Sequence, residues 1–291
     1  LKKGGPYIAF SSTVIIDRFG VFLALLVCIA LVLVLLISSG FLMRADVPAP
    51  EYIAMMLFSA AGMVTMASAN DLLVVFIALE LLSIPLYVLA AFDRKRRESQ
   101  EAGLKYFILG GFSSAFFLYG IAMIYGATGT TKLRGVESVK TYLVSNIELG
   151  KHRALLLVGV ALLLVGLAFK VAAVPFQVWT PDVYQGAPTP VTSFMASAGK
   201  TAAFAALLRI SVTALQSRVD DWRPVVWVLA VLSLVIGSVL AVSQTNVKRM
   251  LAYSSIAHAG YILVAIAAAV AAGLMMERWA PDTDGQRGRA A

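Results

Sequence analysis

Long apolar runs are the feature of this sequence that most restricts its fold. A helix needs about 20 mostly apolar residues to cross roughly 30 Å of bilayer hydrocarbon. Eight such runs are predicted as spans, at about 21–43, 53–69, 72–92, 103–126, 154–178, 188–215, 225–243 and 250–273. The sequence therefore predicts an all-α, polytopic transmembrane helix bundle over residues 21–273. An N-terminal extramembrane segment (1–20) precedes it, and a polar C-terminal tail (274–291) follows.

Composition supports the same class of protein. Charged residues make up 14% of the chain and hydrophobic residues 60%, with a mean hydropathy of +0.85. A soluble domain carries about 25% charged residues, so this chain has too few to cover a water-exposed surface of its size. The net charge of +8 would suggest nucleic acid in a soluble protein. In a membrane protein it is typical of basic loops that set topology and meet anionic headgroups, so we expect the lipid bilayer, and not nucleic acid, as the partner.

Ionisable residues inside the apolar runs are the candidates for function. A charge at mid-bilayer costs at least about 2.5–3.5 kcal/mol on insertion scales and usually faces the bundle interior. Glu80 lies near the midplane, about 12 Å into the third run at 1.5 Å per residue, and Ser83 and Tyr87 share its helix face. Pro85 should loosen the helix because it has no N–H to donate. We predict a functional carboxylate, and the alternative is an ion pair that only joins helices.

Lys170 precedes a segment that should interrupt its helix. It stands five residues before Pro175, and the segment 175–190 contains three further prolines and a glycine. A broken span is tolerated only where it is buried in protein or lines a cavity. The pattern therefore predicts a broken helix near Pro175 with a functional lysine beside it.

Three further groups are candidates, of which Lys200 is strong and Lys105 and His258 are more ambiguous. Lys200 lies close to mid-membrane, about 12 residues past Pro188, and is difficult to explain as a lysine that reaches the headgroups. Lys105 is expected only two or three residues into its helix, where it could extend to the interface for structural reasons. His258 has hydroxyl side chains on its helix face and could relay protons, although a histidine hydrogen-bonded for structural reasons fits equally well.

Together these groups are typical of a proton path. Burial favours the neutral form of a lysine and a nearby carboxylate favours its charged form, so moving a partner charge could switch the lysine. The sequence has no His pair at haem or copper spacing, a single cysteine, and no phosphate-binding glycine loop. No cofactor, metal or redox centre is therefore expected on this chain, and redox or ATP chemistry would have to lie on partners.

Three segments carry a resemblance to a known family. The segments EAGLKYFILGGFSSAFFLYGIAMIYGATGT (101–130), FKVAAVPFQVWTPDVYQGAPTPVTSFMA (169–196) and QTNVKRMLAYSSIAHAGYILVA (244–265) resemble subunit N of bacterial NADH–quinone oxidoreductase, respiratory complex I. Subunit N belongs to the antiporter-like membrane subunits of that complex. The stretch TPDVYQGAPTP (180–190) separates it from its sister subunits and from multisubunit antiporters. Gln185 stands where an acidic residue would be expected.

The resemblance implies an architecture and a function. The family has fourteen helices with two inverted five-helix repeats, and this chain matches helices three to ten: one complete repeat and the start of an inverted second. It would be a multi-pass subunit of the bacterial inner membrane that couples quinone reduction to proton translocation, with no redox centre of its own. NADH, FMN, iron–sulfur clusters and quinone are expected on partner subunits. Adjacent antiporter-like and small membrane subunits are the expected neighbours.

The resemblance also implies a role for each candidate residue. Glu80 would pair electrostatically with Lys170 of the broken helix. Lys200 would link the inlet half-channel to the central polar axis, on or near which His258 would lie, and Lys105 matches a lysine typical of subunit N. Two alternatives stay open: a subunit of a multisubunit cation/proton antiporter, and a structural scaffold of the membrane arm that moves no ions.

Overall fold

The computed structural model describes residues 7–145 and 152–279, which form helices and one small β-hairpin. In chain order the elements are β1 (Tyr7–Ala9), β2 (Val14–Ile16), α1 (Arg18–Ala45), α2 (Ala49–Ser68), α3 (Leu72–Ala90), α4 (Arg97–Thr128), α5 (Val139–Ser145), α6 (Arg153–Val171), α7 (Trp179–Gly186), α8 (Thr189–Phe194), a π-helical turn (Met195–Gly199), α9 (Lys200–Thr213), a 3₁₀ turn (Gln216–Arg218), α10 (Val219–Val242) and α11 (Val247–Trp279).

Eight helical segments of the described residues are long and apolar enough to cross a membrane. They are α1, α2, α3, α4, α6, the continuous helix from Thr189 to Thr213, α10 and α11. The predicted polytopic all-α bundle of about eight spans is thereby confirmed. The first six and last twelve residues, which belong to the predicted N-terminal segment and C-terminal tail, lie outside the described residues.

Several helices begin before the predicted apolar runs, and α4 and α1 are two of them. α4 begins at Arg97 and not at 103, because the polar sequence RESQ forms its first turn. Lys105 therefore lies more than two turns from the start of α4, and not two or three residues from it as hydropathy predicts. α1 begins at Arg18, where the Asp17 side chain caps it by accepting a hydrogen bond from the backbone N–H of Gly20 at 2.7 Å.

A polar network marks one end of the bundle, here called the Asn70 end. The antiparallel hairpin β1–β2 lies beside the two-helix turn at Asn70, whose side-chain amide donates to the carbonyl of Ser12 at 2.8 Å. The Asn70 carbonyl in turn accepts from the backbone N–H of Leu133 at 2.8 Å. These contacts join the N-terminal hairpin, the α2–α3 turn and the loop after α4 into one surface.

The sixth helix ends inside the bundle. α6 stops at Val171, where Ala172 adopts a left-handed conformation (φ 61°) and the N–H of Ala173 bonds the carbonyl of Ala168 at 2.8 Å. The chain then turns through Pro175 and resumes as α7 at Trp179. The predicted break near Pro175 is confirmed, but it begins before the proline, so α6 is shorter than the predicted run to 178.

Close helix packing depends on glycines, as is usual in membrane bundles. At Gly62 of α2 an added Cβ would lie only 2.8 Å from the carbonyl carbon of Leu81 and 2.9 Å from the carbonyl oxygen of Ala78, both in the α3 backbone. Backbone atoms cannot move aside as a flexible side chain can. Gly62 therefore sets the distance between α2 and α3, the helix that carries Glu80.

We expect Gly62→Ala to destabilise the bundle by about 1–3 kcal/mol, because the methyl group overpacks a backbone contact. Gly111→Ala is the matched control, since an added Cβ there has no neighbour within 4 Å and alanine favours helix. Thermal unfolding of the purified protein in detergent measures both. Equal melting temperatures for the two variants would show that α2 and α3 are not held at this distance.

Candidate functional site

Lys170 is buried in the last turn of α6, with 6% of its surface exposed. Its ammonium makes no hydrogen bond to any described residue. A cation in the last turn of a helix is favoured by the helix dipole. The end of α6 at Val171, one residue after Lys170, therefore suits a charge that has no ion-pair partner among the described residues.

Two tyrosine rings, here called the aromatic box, face the Lys170 ammonium. Its Nζ lies 5.4 Å from the ring centroid of Tyr87 on α3 and 5.3 Å from that of Tyr106 on α4. The two rings meet edge to face at 4.7 Å, and Tyr106 stacks on Trp179 at 4.6 Å with an interplanar angle of 11°. Trp179 is the first residue of α7, so the segment after the break completes the surroundings of the lysine before it.

Glu80 is half-buried on α3, and its carboxylate accepts a hydrogen bond from the hydroxyl of Ser114 on α4. The ion pairs found among the described residues do not include Glu80. No hydrogen bond or ion pair among the described residues joins it to Lys170. Ser83, predicted to share its polar face, instead donates to the carbonyl of Leu79 in its own helix.

Lys200 and His258 line one cavity of about 350 Å³ between α1, α9 and α11. The Lys200 ammonium, on a residue that is 8% exposed, donates to the carbonyl of Ser255 at 3.0 Å and also to its hydroxyl. Nδ1 of His258 lies 2.8 Å from the carbonyl of Ser254. The π-helical turn Met195–Gly199, which ends just before Lys200, is a helix irregularity of the kind often found at functional sites.

Lys105 lies away from these groups, at the opposite end of the bundle from Asn70. Its ammonium pairs with Glu101 and Asp182, both at 2.7 Å, and its side chain is 41% exposed. Asp182 of α7 also accepts from Arg249 of α11. This cluster, here called the Asp182 end, ties α7 to α4 and α11. Sequence analysis did not single out Asp182 or Arg249, although both stand in the motifs that carry the family resemblance.

Sequence analysis also missed the most completely paired charge in the described residues. The guanidinium of Arg209 on α9 makes two 2.9 Å hydrogen bonds to the carboxylate of Asp17, and its Nε and Nη2 donate to the carbonyl of Ala67 at 3.0 and 2.7 Å. An arginine inside the predicted run 188–215 was the signal that could have identified it. The contact joins α9 to the N-terminus of α1 and the end of α2.

The candidate groups are separate titratable side chains. No group of three or more His, Cys, Asp or Glu side chains in the described part of the chain could hold a metal ion. Glu80, Lys170 and Lys200 lie in three different helices, and no hydrogen bond among the described residues joins one of them to another. A proton could pass between such groups through bridging water or after a side chain moves.

Comparison with known proteins identifies a family to which this chain is similar. A sequence profile for the family described as NADH:quinone oxidoreductase/Mrp antiporter, TM, matches residues 69–277. The chain is 47% identical to NADH-quinone oxidoreductase subunit N of Trichlorobacter lovleyi, over 91% of this chain and 53% of the relative. It is also 53% identical to subunit N of Mycobacterium tuberculosis, over 79% of this chain and 42% of the relative. The chain spans about half the length of the curated relatives it matches.

A solved structure supports the same similarity. A chain of respiratory complex I from Thermus thermophilus with bound aureothin superimposes with a TM-score of 0.72 and 41% identity, covering 90% of this chain and 53% of that one. A chain of the Mrp complex from a Dietzia species gives a TM-score of 0.74 at 25% identity, covering 90% and 47%. The fold is thus common to both kinds of complex, and the sequence is more similar to complex I.

The Asp17–Arg209 pair should make stability depend on acidity. Burial alone would raise the pKa of Asp17, but hydrogen bonds from Arg209 and from the Gly20 N–H outweigh it and lower the pKa below its usual 3.8. A lowered folded-state pKa means that this contribution is complete above about pH 3.8 and is lost as the pH falls through the folded-state value. We expect Asp17→Asn to lower the melting temperature at pH 7 and to weaken its dependence on acid.

Thermal unfolding in detergent between pH 7 and pH 3 measures this effect. The matched control is Asp46→Asn, because Asp46 is 91% exposed in its 3.6 Å pair with Lys95 and exposed pairs contribute only about 0–1 kcal/mol. Breaking a buried pair, such as the one between Asp17 and Arg209, costs about 3–5 kcal/mol. Identical acid profiles for Asp17→Asn and the unmodified protein would contradict the assignment.

Proposed function

The chain belongs to the NADH:quinone oxidoreductase/Mrp antiporter transmembrane family, and from this membership we propose that it serves as subunit N of a bacterial NADH–quinone oxidoreductase. In that role it carries protons across the membrane while the complex reduces quinone. The observation that carries the proposal is the pair of buried ammonium groups, Lys170 and Lys200, in the interior of a multi-pass protein of the bacterial inner membrane.

The contrast between buried charges in this chain supports a functional role. Arg209, near the Asn70 end, has a carboxylate and a backbone carbonyl as partners, which is how a structural charge is stabilised. Among the residues that the structure describes, Lys170 has no hydrogen-bond partner and Lys200 has only uncharged ones. Since an intramembrane charge without an anionic partner is costly, its retention favours a role that a neutral residue could not fill.

We propose that the proton path runs through Glu80, Lys170 and Lys200 toward His258. A change in the charge of Glu80 alters the electrostatic potential at Lys170 and so the balance between its charged and neutral forms. Lys170 then exchanges its proton with Lys200, which lies in the cavity that His258 also lines. Lys105, paired with Asp182 near the surface, belongs to the mouth of the path and not to its centre.

The chemistry that drives this path is proposed to lie on partner subunits. NADH, FMN, iron–sulfur clusters and quinone are assigned to them, because sequence analysis found no motif for such groups here. The expected neighbours are the adjacent antiporter-like subunit and small membrane subunits. The chain is an enzyme component only in this sense: it belongs to a translocase whose redox centres are elsewhere.

A second candidate is a subunit of a multisubunit cation/proton antiporter, favoured by the similarity to the Mrp complex. The 47% identity to a subunit N favours complex I over this alternative. The two differ in the driving reaction: an antiporter exchanges sodium for protons without NADH. A scaffold subunit would require neither Glu80 nor the buried lysines for transport.

We expect Glu80→Gln in the assembled complex that contains this chain to reduce NADH-driven proton uptake about ten-fold, because the variant removes the charge that is proposed to control the protonation of Lys170, and a ten-fold change needs only about 1.4 kcal/mol. Uptake is measured in inverted membrane vesicles, with assembly checked on a native gel and electron transfer assayed in parallel. The glutamine keeps the size of the side chain and the hydrogen bond to Ser114 while removing the charge.

Glu51→Gln is the matched control, because Glu51 lies exposed in the first turn of α2. Its uptake should equal that of the unmodified complex. Normal proton uptake by an assembled Glu80→Gln complex would contradict the proposed proton path and would favour a scaffold subunit that moves no ions. Sodium-dependent uptake without NADH would favour the antiporter.

A further inference from the structure

We infer that Tyr87 and Tyr106 are positioning residues that hold the Lys170 ammonium by their ring faces; this inference rests on the proposed role of Lys170 in proton transfer. The two rings take the place that a carboxylate or a carbonyl usually occupies beside a buried ammonium. Neither residue was a site candidate in its own right, and Tyr87 entered only as a neighbour of Glu80 on the same helix face.

The geometry fits a cation–π site. Both ring centroids lie within the range of about 6 Å over which an ammonium is attracted by the electrons of an aromatic face, at 5.4 and 5.3 Å from Lys170 Nζ. Both rings and the lysine are buried. Cation–π attraction is stronger where the cation has lost its water, and this ammonium also lacks a hydrogen bond to any described residue.

Each ring is held in place by packing from a different helix. Tyr106 is fixed by its stack on Trp179, whose indole N–H donates to the carbonyl of Phe169 at 3.0 Å. Tyr87 extends to α4 at Gly110, where an added Cβ would lie 2.7 Å from Tyr87 Cζ. Gly110 therefore leaves the space that the Tyr87 ring requires. α3, α4 and α7 together aim both faces at the end of α6.

A ring face can stabilise the charge of the lysine without accepting its proton, which a carboxylate cannot do. It attracts the ammonium much more strongly than the neutral amine, yet it has no lone pair with which to accept the proton. A carboxylate in contact would stabilise the same charge but would also compete for the proton. The box thus supports the charged form of Lys170 while leaving its proton available to the next group in the path.

The test replaces Tyr106 in the assembled complex that contains this chain. Tyr106→Leu removes the ring and should lower NADH-driven proton uptake per electron at least about two-fold, and Tyr106→Phe should restore most of the loss. Phenylalanines with one, two and three ring fluorines are then introduced at position 106. Fluorine withdraws electrons from the ring face at nearly constant shape, so uptake should fall stepwise through the series.

A purely structural role would not respond to this series, because fluorination does not weaken the stack of ring 106 on Trp179. Fluorinated phenylalanine at position 169 is the matched control. Phe169 stacks on the same Trp179 at 5.4 Å, but it is not one of the two rings that the ammonium faces among the described residues. Its fluorination should leave uptake unchanged.

The Lys170→Ala variant separates the two proposals. If Lys170→Ala lowers uptake while the series at position 106 is flat, the rings do not act through their electrons and this inference alone is wrong. Loss of uptake in Tyr106→Phe would assign the effect to the hydroxyl and would also overturn it. If Lys170→Ala pumps normally, the proposed proton path fails, and the ring assignment fails with it.

Discussion

The early end of α6 inside the bundle is the constraint on which the rest of the site depends. A helix that continued from Val171 to 178 would carry its last carbonyls past Lys170, and their partial negative charge would lie elsewhere. The break also lets the chain turn, so that Trp179 packs behind Tyr106. One interruption of the backbone therefore places Lys170 in the last turn of α6 and also supports one ring that faces it.

Charged groups in the described residues are stabilised in two different ways. Arg209, near the Asn70 end, is paired with Asp17 and the Ala67 carbonyl, and Asp182 at the other end bridges Lys105 and Arg249. These pairs fix helices to one another. The mid-bundle groups carry no such pairing, so their protonation can change without breaking a contact that holds the fold together.

Sequence analysis succeeded where the signal was local. Hydropathy identifies the spans because each spanning helix needs its own apolar stretch, long enough to cross the hydrocarbon. The prolines after Lys170 likewise predict the break in the helix. It failed where partners are distant: Asp17 and Arg209 are 192 residues apart, and Lys105 and Asp182 are 77 apart. The aromatic box was missed for the same reason, since aromatic residues are common in apolar helices and only the fold shows which rings face a charge.

The size of each interaction explains why rings suit the proposed role of Lys170 in proton transfer. Two unit charges 4 Å apart attract by about 4 kcal/mol at an effective dielectric constant of about 20, whereas a cation–π contact contributes about 0.5–2 kcal/mol. A contact carboxylate would hold Lys170 in its charged form against most perturbations. Two ring faces, and no carboxylate among the described residues, contact the Lys170 ammonium. In the proposed proton path, the balance between charged and neutral Lys170 therefore stays within reach of a change in the charge of Glu80.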